Sequence, residues 1–111
     1  MSKSGDLARR RCVSCDSTTP RLGVVECEAL LDGLHGWEIV EGHHLARDFR
    51  FRDFRAALAF VNGVGEIAEA EKHHPDIRLA WGRARIEIWT HAIDGLSEND
   101  FILAAKIDCL G

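Results

Sequence analysis

The chain has 111 residues, a length that fits one domain, and its 46% hydrophobic and 29% charged residues are typical of a globular protein. The formal net charge of −4 at pH 7 argues against a broad nucleic-acid-binding surface. No apolar run approaches the roughly 18 residues of a membrane span, and the polar start lacks a secretory-signal pattern. We therefore predict a cytoplasmic protein without nucleic-acid or membrane partners.

Residues 1–23 are polar and irregular, which predicts a flexible N-terminal segment ahead of one domain over residues 24–111. Cys12 and Cys15 in this segment have C-x-x-C spacing. A zinc site would need further ligands at suitable spacing, and a redox motif would need a strand before it and a helix after it. Because neither pattern is visible, a plain terminal segment is favoured over a metal or redox role, and the function of the two thiols stays open.

In the first part of the domain, a short helix over about residues 24–34 is followed by a β-hairpin. Two runs of alternating polarity, residues 37–41 and 44–51, predict its strands, with a turn at Gly42 and His43. Three histidines near these turns are interpreted as solvated surface: His35, His43 and His44.

A long helix comes next, with Asp53 as its N-terminal cap and an end near Lys72. Pro75 closes the helical run, because the residue before a proline avoids the α region. Gly63 and Gly65 each weaken the helix by about 1 kcal/mol relative to alanine, so a close approach or a bend is expected there. The apolar residues follow helical spacing: Ala57, Phe60, Val61, Val64, Ile67 and Ala68.

A second β-hairpin is predicted from two alternating runs, residues 76–81 and 84–90. Gly82 and Arg83 lie between them, and glycine at the first of two loop positions is typical of a type II′ turn. A two-residue loop at this point fixes the register and pairs apolar residues with apolar residues across the strands.

The same predicted register has two further consequences on the other face of the hairpin. It places Arg78 opposite Glu87, an attractive cross-strand pair. Continued beyond the strands, it brings His74 opposite His91, within one neighbourhood.

The last element is a helix capped by Ser97 and Asp100 and running to about Leu110. Its apolar residues form two stripes: Phe101, Ala104 and Ala105 on one, and Leu103, Ile107 and Leu110 on the other. Because a small sheet covers one stripe of a helix, the second stripe is expected to be exposed and to mark an interface. We therefore predict a homodimer or homotetramer.

The complete element order is α-β-β-α-β-β-α, with hairpins in place of crossover connections. This order predicts an α+β domain in which helices pack on one face of a four-stranded antiparallel sheet.

Candidate site residues gather near the end of the long helix. His73 follows Glu69 by four residues, so a helix that persists this far places both on one face. A carboxylate in that position orients the imidazole and favours its protonated form. With the predicted pairing of His74 and His91, all four side chains are expected to converge.

Three interpretations of these histidines compete. They are polar surface at a sheet end, or a metal site, or groups for acid–base catalysis. Histidine suits zinc, but adjacent histidines rarely bind one ion together, and no cysteine has ligand spacing. Histidine titrates near neutral pH, and positioned proton donors and acceptors accelerate reactions roughly 10²–10⁴-fold. Without a serine or cysteine in the cluster, proton transfer is favoured over covalent chemistry.

Three short motifs also resemble those of a known family. Glu69 precedes HHPD at residues 73–76, TH follows at 90–91, and GLSEND at 95–100. This combination resembles the pterin-4a-carbinolamine dehydratase family over about residues 24–110.

The resemblance implies a four-stranded antiparallel sheet with helices on one face, an oligomer, and dehydration of 4a-hydroxytetrahydrobiopterin to quinonoid dihydropterin in pterin cofactor recycling. It implies no metal and no other cofactor. By resemblance the catalytic residues are His73, His74, His91 and Glu69. The pterin-contacting residues are Lys72, Trp89 and Thr90. Lys72 stands where an acidic residue can occur and Trp89 where a small one can, which leaves the pterin side chain open.

Some animal members of that family act as dimerisation partners of a transcription factor. The alternative function is therefore a non-catalytic binding module or transcriptional co-regulator. The intact set of three histidines favours the enzyme.

Overall fold

A computed structural model describes residues 7–110 of the chain. Residues 7–9 are helical, and the longer elements follow in the predicted order. They are α1 (Val24–Leu31), β1 (Glu38–Val40), β2 (His44–Arg50), α2 (Phe54–Glu71), β3 (Asp76–Ala80), β4 (Arg83–Ile88), a 3-10 helix (His91–Ile93) and α3 (Glu98–Asp108).

The four strands form one antiparallel sheet in the order β1-β2-β4-β3. Burial alternates along β4, where Ala84, Ile86 and Ile88 have no exposed surface and the residues between them are exposed or half-buried. This period-two pattern is typical of a sheet whose one face is covered by helices. The predicted α+β fold class is confirmed.

The predicted register of the second hairpin is wrong by two residues. Ile77 pairs with Ile86 and Leu79 with Ala84, so the loop residues are Trp81 and Gly82. A shift of two residues leaves every side chain on its predicted face, because strand side chains alternate with period two.

The predicted partner of Arg78 is also wrong. Arg78 lies opposite Arg85, and Glu87 lies opposite Asp76, so like charges face each other on the open side of the sheet. Asp48 on β2 offsets part of this repulsion, because its carboxylate accepts a hydrogen bond from Arg85 at 3.2 Å.

A tertiary contact explains the glycine in this loop. The carbonyl of Gly82 accepts a hydrogen bond from the Phe51 N–H at 2.8 Å. A Cβ at position 82 would lie 2.9 Å from the Phe51 carbonyl oxygen. Gly82 does not have the positive φ that a type II′ turn requires at its first loop position. Glycine is therefore needed here because the backbone of Phe51, the residue just after β2, approaches so closely.

The turn between β1 and β2 is centred one residue earlier than predicted. Glu41 and Gly42 have φ values of 54° and 66°, as in a type I′ turn, and the His43 N–H donates to the Val40 carbonyl at 2.9 Å. His43 and His44 therefore leave the turn directly into the start of β2.

The long helix α2 begins as predicted, with the Asp53 carboxylate accepting the Ala56 N–H at 2.8 Å. It ends at Lys72, which adopts the left-handed conformation at φ 55°. A Cβ at Gly63 would lie 3.2 Å from Leu110 Cδ1, which is the close approach expected there, whereas one at Gly65 would meet nothing within 4 Å. Four of the predicted apolar positions are buried: Ala57, Phe60, Val64 and Ala68.

The prediction that the closing helix, α3, exposes an apolar stripe is wrong. Five of its apolar side chains have no exposed surface within one chain: Phe101, Leu103, Ala104, Ala105 and Ile107. Of the two predicted stripes, Leu110 is exposed, at 44%. The predicted homodimer or homotetramer therefore loses this argument, and it stays a prediction.

The N-terminal segment covers the outer side of α3. Val13 and Asn99 exchange two hydrogen bonds, at 3.0 Å and 2.6 Å, and Lys106 Nζ donates to the Ala8 carbonyl at 2.7 Å. The Cys12 N–H donates to Glu71 Oε1 on α2 at 2.8 Å. These contacts explain why both stripes of α3 are buried.

The division of the chain into a flexible segment over residues 1–23 and a domain over 24–111 stays a prediction. Residues 1–6 and 111, which fall in these two parts, lie outside the described residues. Over residues 7–110, no helix is both long and apolar enough to cross a bilayer.

Candidate active site

A cavity of about 390 Å³ lies where α2 ends and β4 runs into the 3-10 helix. Its lining contains all three predicted histidines and all three predicted substrate-binding residues. The lining residues are Cys15, Lys72, His73, His74, Trp89, Thr90, His91 and Ala92. The structure thus brings the predicted histidines together, with Glu69 outside the lining.

The left-handed Lys72 determines how the histidines are presented. It turns the chain out of α2, and the His73 N–H caps the helix by donating to the Ala68 carbonyl at 3.2 Å. The His73 side chain then points into the fold and is 9% exposed, whereas His74 is exposed. The two adjacent rings therefore have different environments.

His73 is held by a carboxylate that the sequence patterns assigned only to helix capping. Its Nε2 lies 2.6 Å from Oδ1 of Asp100, which has no exposed surface. The other oxygen, Oδ2, accepts the Thr90 hydroxyl at 2.9 Å and the Ser97 N–H at 2.8 Å. An ionised carboxylate only accepts hydrogen bonds, so it satisfies all three donors at once.

This arrangement defines the tautomer of His73. Because Asp100 accepts, Nε2 carries a proton, and the lone pair of a neutral ring is on Nδ1. Among the described residues, Nδ1 has no hydrogen-bond partner, so it is the nitrogen available to a molecule in the cavity.

The predicted pairing of Glu69 with His73 is wrong, because Glu69 Oε2 instead lies 2.5 Å from Nε2 of His74. The cause is the left-handed Lys72, which takes His73 off the helical face. The side chains of His74 and Glu69 are 61% and 78% exposed, so solvent screens this pair and it holds the ring weakly.

His91 is supported by an aromatic ring instead of a hydrogen bond. It begins the 3-10 helix, its side chain is exposed, and its ring stacks on Trp89 with centroids 4.4 Å apart and planes at 19°. The predicted pairing of His74 with His91 was counted in the wrong register. His74 and His91 nevertheless line one cavity, because the start of the 3-10 helix after β4 lies close to the end of α2.

The hydroxyl of Thr90, predicted to contact pterin, is engaged inside the fold. It hydrogen-bonds with Ser97 Oγ at 2.6 Å and donates to Asp100, and Thr90 is 1% exposed. The Thr90 N–H donates to the Gly95 carbonyl at 2.8 Å, and its own carbonyl accepts from Ile93 at 3.2 Å. Because the hydroxyl and the backbone are both engaged, the methyl group is the part of Thr90 left to contact a bound molecule.

Two histidines interpreted as solvated surface lie behind the site. His43 and His44 are half-buried, with ring centroids 5.4 Å and 5.8 Å from that of Trp89. Their interpretation as solvated surface is wrong, whereas His35 is exposed as predicted. Trp89, two positions before His91, is the sequence signal that could have indicated this packing.

Cys15 also lines the cavity, so the expectation that the histidine cluster contains no cysteine is wrong. Its sulfur accepts a hydrogen bond from Asn99 Nδ2 at 2.8 Å, and the same amide holds Val13. Burial and the charge of Glu71 raise the pKa of the Cys12 thiol to about 12. All four cysteines are free, and over residues 7–110 no group of three or more His, Cys, Asp or Glu residues is arranged to hold a metal ion.

The fold and the cavity together define a small α+β domain with a histidine-lined site at the end of its sheet. The chain belongs to the pterin 4 alpha carbinolamine dehydratase family, whose model matches residues 20–110.

Relatives cover nearly the full chain. A Rubrobacter xylanophilus protein provisionally named pterin-4-alpha-carbinolamine dehydratase is 56% identical over 105 residues, which are 95% of this chain and 98% of that protein. An Alkaliphilus metalliredigens protein with the same provisional name is 45% identical, over 93% of this chain and 94% of its own.

Solved structures support the same fold. The transcriptional coactivator/pterin dehydratase from Brucella melitensis matches with a TM-score of 0.78 and 33% identity, over 82% of this chain and 98% of that chain. A pterin dehydratase-like protein described as a RuBisCO assembly factor in the alpha-carboxysome matches with a TM-score of 0.59 over 68% of this chain and 89% of its own. Its 22% identity supports a common fold only.

Proposed function

We propose that this protein is a 4a-hydroxytetrahydrobiopterin dehydratase, which forms quinonoid dihydropterin and water during pterin cofactor recycling. The observation that carries the proposal is a single cavity lined by His73, His74 and His91, with the first of them fixed by a buried carboxylate. Membership of the family and the provisional names of the relatives support the pterin substrate.

The reaction needs one proton donor and one proton acceptor. In a carbinolamine, the hydroxyl and a nitrogen are bonded to the same carbon. Breaking the carbon–oxygen bond releases the hydroxyl, which takes a proton and leaves as water. The nitrogen gives up its own proton as the carbon–nitrogen double bond forms. Electrons and protons balance without a redox step, so acid–base groups are sufficient.

His73 is suited to accept the proton from nitrogen. Its Nδ1 is available, and Asp100, at 2.6 Å from Nε2, stabilises the imidazolium that forms. The exposed rings of His74 and His91 are suited to protonate the departing hydroxyl, because solvent can return a proton to either. Glu69 contributes a weak contact to His74, and Lys72, Trp89 and Thr90 line the cavity around the pterin.

The test is the rate of disappearance of 4a-hydroxytetrahydropterin with and without the protein. His73→Ala and His91→Ala should each lower the catalysed rate by at least about tenfold. His35→Ala, at an exposed histidine outside this cavity, is the matched control and should keep the wild-type rate. Full activity in both cavity variants, with circular dichroism showing intact folding, would refute the assignment.

A binding module is the second candidate function, because the Brucella melitensis neighbour is titled a transcriptional coactivator as well as a pterin dehydratase. If the wild-type protein does not accelerate dehydration above the uncatalysed rate, the binding function replaces the enzyme. We also propose that the protein works in the cytoplasm as a homodimer or homotetramer.

A further inference from the structure

A second pair of histidines lies between two carboxylates, joined by two hydrogen bonds and one longer polar contact. Nδ1 of His43 lies 3.1 Å from Nδ1 of His44. At the outer ends, His43 Nε2 lies 2.7 Å from Asp94 Oδ1, and His44 Nε2 lies 3.4 Å from Glu87 Oε2. The order Asp94–His43–His44–Glu87 joins the start of β2 to β4 and to the end of the 3-10 helix. These four residues are called the Asp94–Glu87 chain below.

The contact between the two rings limits where the protons lie. Two nitrogens 3.1 Å apart form a hydrogen bond only if one carries a proton and the other a lone pair. A neutral His43 that donates from Nε2 to Asp94 has its lone pair on Nδ1, which accepts from His44. His44 then donates from Nδ1, and in its charged form also from Nε2 toward Glu87. The hydrogen bond from His43 is the largest cause that lowers the pKa of Asp94.

This chain acts on the backbone that carries His91. Asp94 ends the 3-10 helix in the left-handed conformation at φ 47°, and its N–H donates to the His91 carbonyl at 3.2 Å. His43 therefore holds the residue that closes the turn begun by His91.

The chain also acts on the ring that supports His91. His43 and His44 both pack against Trp89, whose indole stacks on His91 at 4.4 Å. Among the described residues, the ring nitrogens of His91 have no hydrogen-bond partner, so the stack is what orients its side chain.

Other contacts hold the same loop at different atoms. Arg21 donates to the Ile93 carbonyl, and Thr90 pairs with Gly95 across the base of the loop. Arg85 lies 3.5 Å from Glu87 at the far end of the chain. None of these contacts reaches the indole of Trp89, so the effect of His43 can be separated from theirs.

We propose that His43 is a positioning residue for His91, acting through Asp94 and Trp89. The proposal rests on the proposed function, in which His91 meets the substrate. It extends the site to the turn between β1 and β2, whose residues are not among those lining the histidine cavity. Because a displacement of about 1 Å at a reacting group can lower a rate up to roughly 10²-fold, support for an exposed ring has a measurable effect on turnover.

The experiment compares three variants by turnover and by NMR of the histidine ring protons. His43→Phe keeps an aromatic ring beside Trp89 and removes both hydrogen bonds. Asp94→Asn keeps an acceptor for His43 and tolerates positive φ, so it is the conservative variant. His35→Phe is the control, since His35 is exposed and does not belong to the Asp94–Glu87 chain. A His91→Gln spectrum assigns the His91 signals.

In the wild-type protein, the ring current of Trp89 should shift the His91 ring protons upfield. His43→Phe should move them toward the values of a free histidine and lower kcat about tenfold, with KM within about twofold. Asp94→Asn should retain most of the upfield shift of the His91 ring protons and most of kcat. His35→Phe should retain both in full. Unchanged His91 shifts in His43→Phe, or changed shifts with an unchanged kcat, would each overturn the proposal. If the wild-type protein has no turnover, the proposed function fails while the NMR shifts still decide whether His43 orients His91.

Discussion

Nε2 of His73 lies 2.6 Å from Oδ1 of Asp100, a carboxylate with no exposed surface at the start of α3. Three donors meet this carboxylate from three separate parts of the chain: the end of α2, the end of β4 and the residue before α3. The same group therefore caps a helix and orients a candidate catalytic ring.

Asp100→Asn should reduce both activity and stability. An amide presents one acceptor oxygen and one N–H₂ group, so at least one of the three donors would face another donor. We expect a loss of about 1–3 kcal/mol in the free energy of unfolding and a fall of roughly 10²-fold in rate. Urea denaturation and turnover measure the two effects.

Asp108→Asn is the matched control for this prediction. Asp108 is also a largely buried carboxylate, and it accepts from Trp37 Nε1 and Arg47 Nη1, both at 2.8 Å. The Asp108→Asn variant should have a lower free energy of unfolding than the wild-type protein, but the same turnover rate per folded molecule. Wild-type activity in Asp100→Asn would contradict the role of Asp100.

Alkylation of Cys15 by N-ethylmaleimide should block the cavity, because this thiol is one of its lining residues. Cys12 and Cys27 should react slowly, since burial raises the pKa of each thiol. Cys109 is exposed and should react without inhibition. Mass spectrometry identifies the labelled residue, and turnover is followed in parallel. Cys15→Ser should abolish the inhibition and Cys109→Ser should retain it, and inhibition that persists in Cys15→Ser contradicts the assignment.

Three glycines should respond differently to alanine. Gly65→Ala should stabilise α2 by up to about 1 kcal/mol, because a Cβ there meets nothing within 4 Å. Gly63→Ala should have a smaller effect, since the Leu110 side chain must move. Gly82→Ala should lower the free energy of unfolding by about 1–3 kcal/mol, because its Cβ would crowd the Phe51 carbonyl. Thermal denaturation ranks the three variants by stability. A Gly82→Ala variant as stable as the wild-type protein would contradict the close approach of Phe51 to Gly82.

Leu103→Glu should prevent folding instead of dissociating an oligomer. Leu103 has no exposed surface within a single chain, so the substitution places a charge in the core. We expect a loss of more than about 4 kcal/mol, seen as lost secondary structure in circular dichroism. A folded, monomeric variant would restore the interpretation of this helix as an interface. Sedimentation equilibrium of the wild-type protein at micromolar concentration tests the predicted dimer or tetramer directly.

Treatment with a strong chelator should leave the rate unchanged, because the proposed reaction uses proton transfer alone. Turnover before and after exhaustive dialysis against the chelator is the measurement. A stoichiometric zinc ion whose removal abolishes activity would contradict the prediction.

Local signals in the sequence were sufficient for the element order and for the caps. Asp53 and the pair Ser97 and Asp100 are capping residues whose partners lie within three positions, so the pattern contains the whole interaction. The alternation of β3 and β4 likewise predicted which side chains face the helices. That prediction survived a register shift of two residues, because parity is unchanged by an even shift.

The register and the support of His73 depended on contacts that local patterns do not contain. The loop at Gly82 is fixed by Phe51, the residue just after β2, and His73 is fixed by Asp100, 27 residues away. The resemblance named His73 as a catalytic residue, which stays a prediction, and helical spacing assigned its partner to Glu69. That spacing failed because Lys72 leaves the helix one residue too early.

The two hydrogen bonds between Val13 and Asn99 join positions 86 residues apart. During translation the N-terminal segment leaves the ribosome long before Asn99 has been made, and domains fold as their later parts emerge. Cys15 is synthesised 84 residues before Asn99, which donates to its sulfur, yet its place in the cavity wall exists only after α3 has formed. One wall of the cavity is therefore completed only once α3 has been synthesised, and a nascent chain stalled before α3 would present the histidines without it.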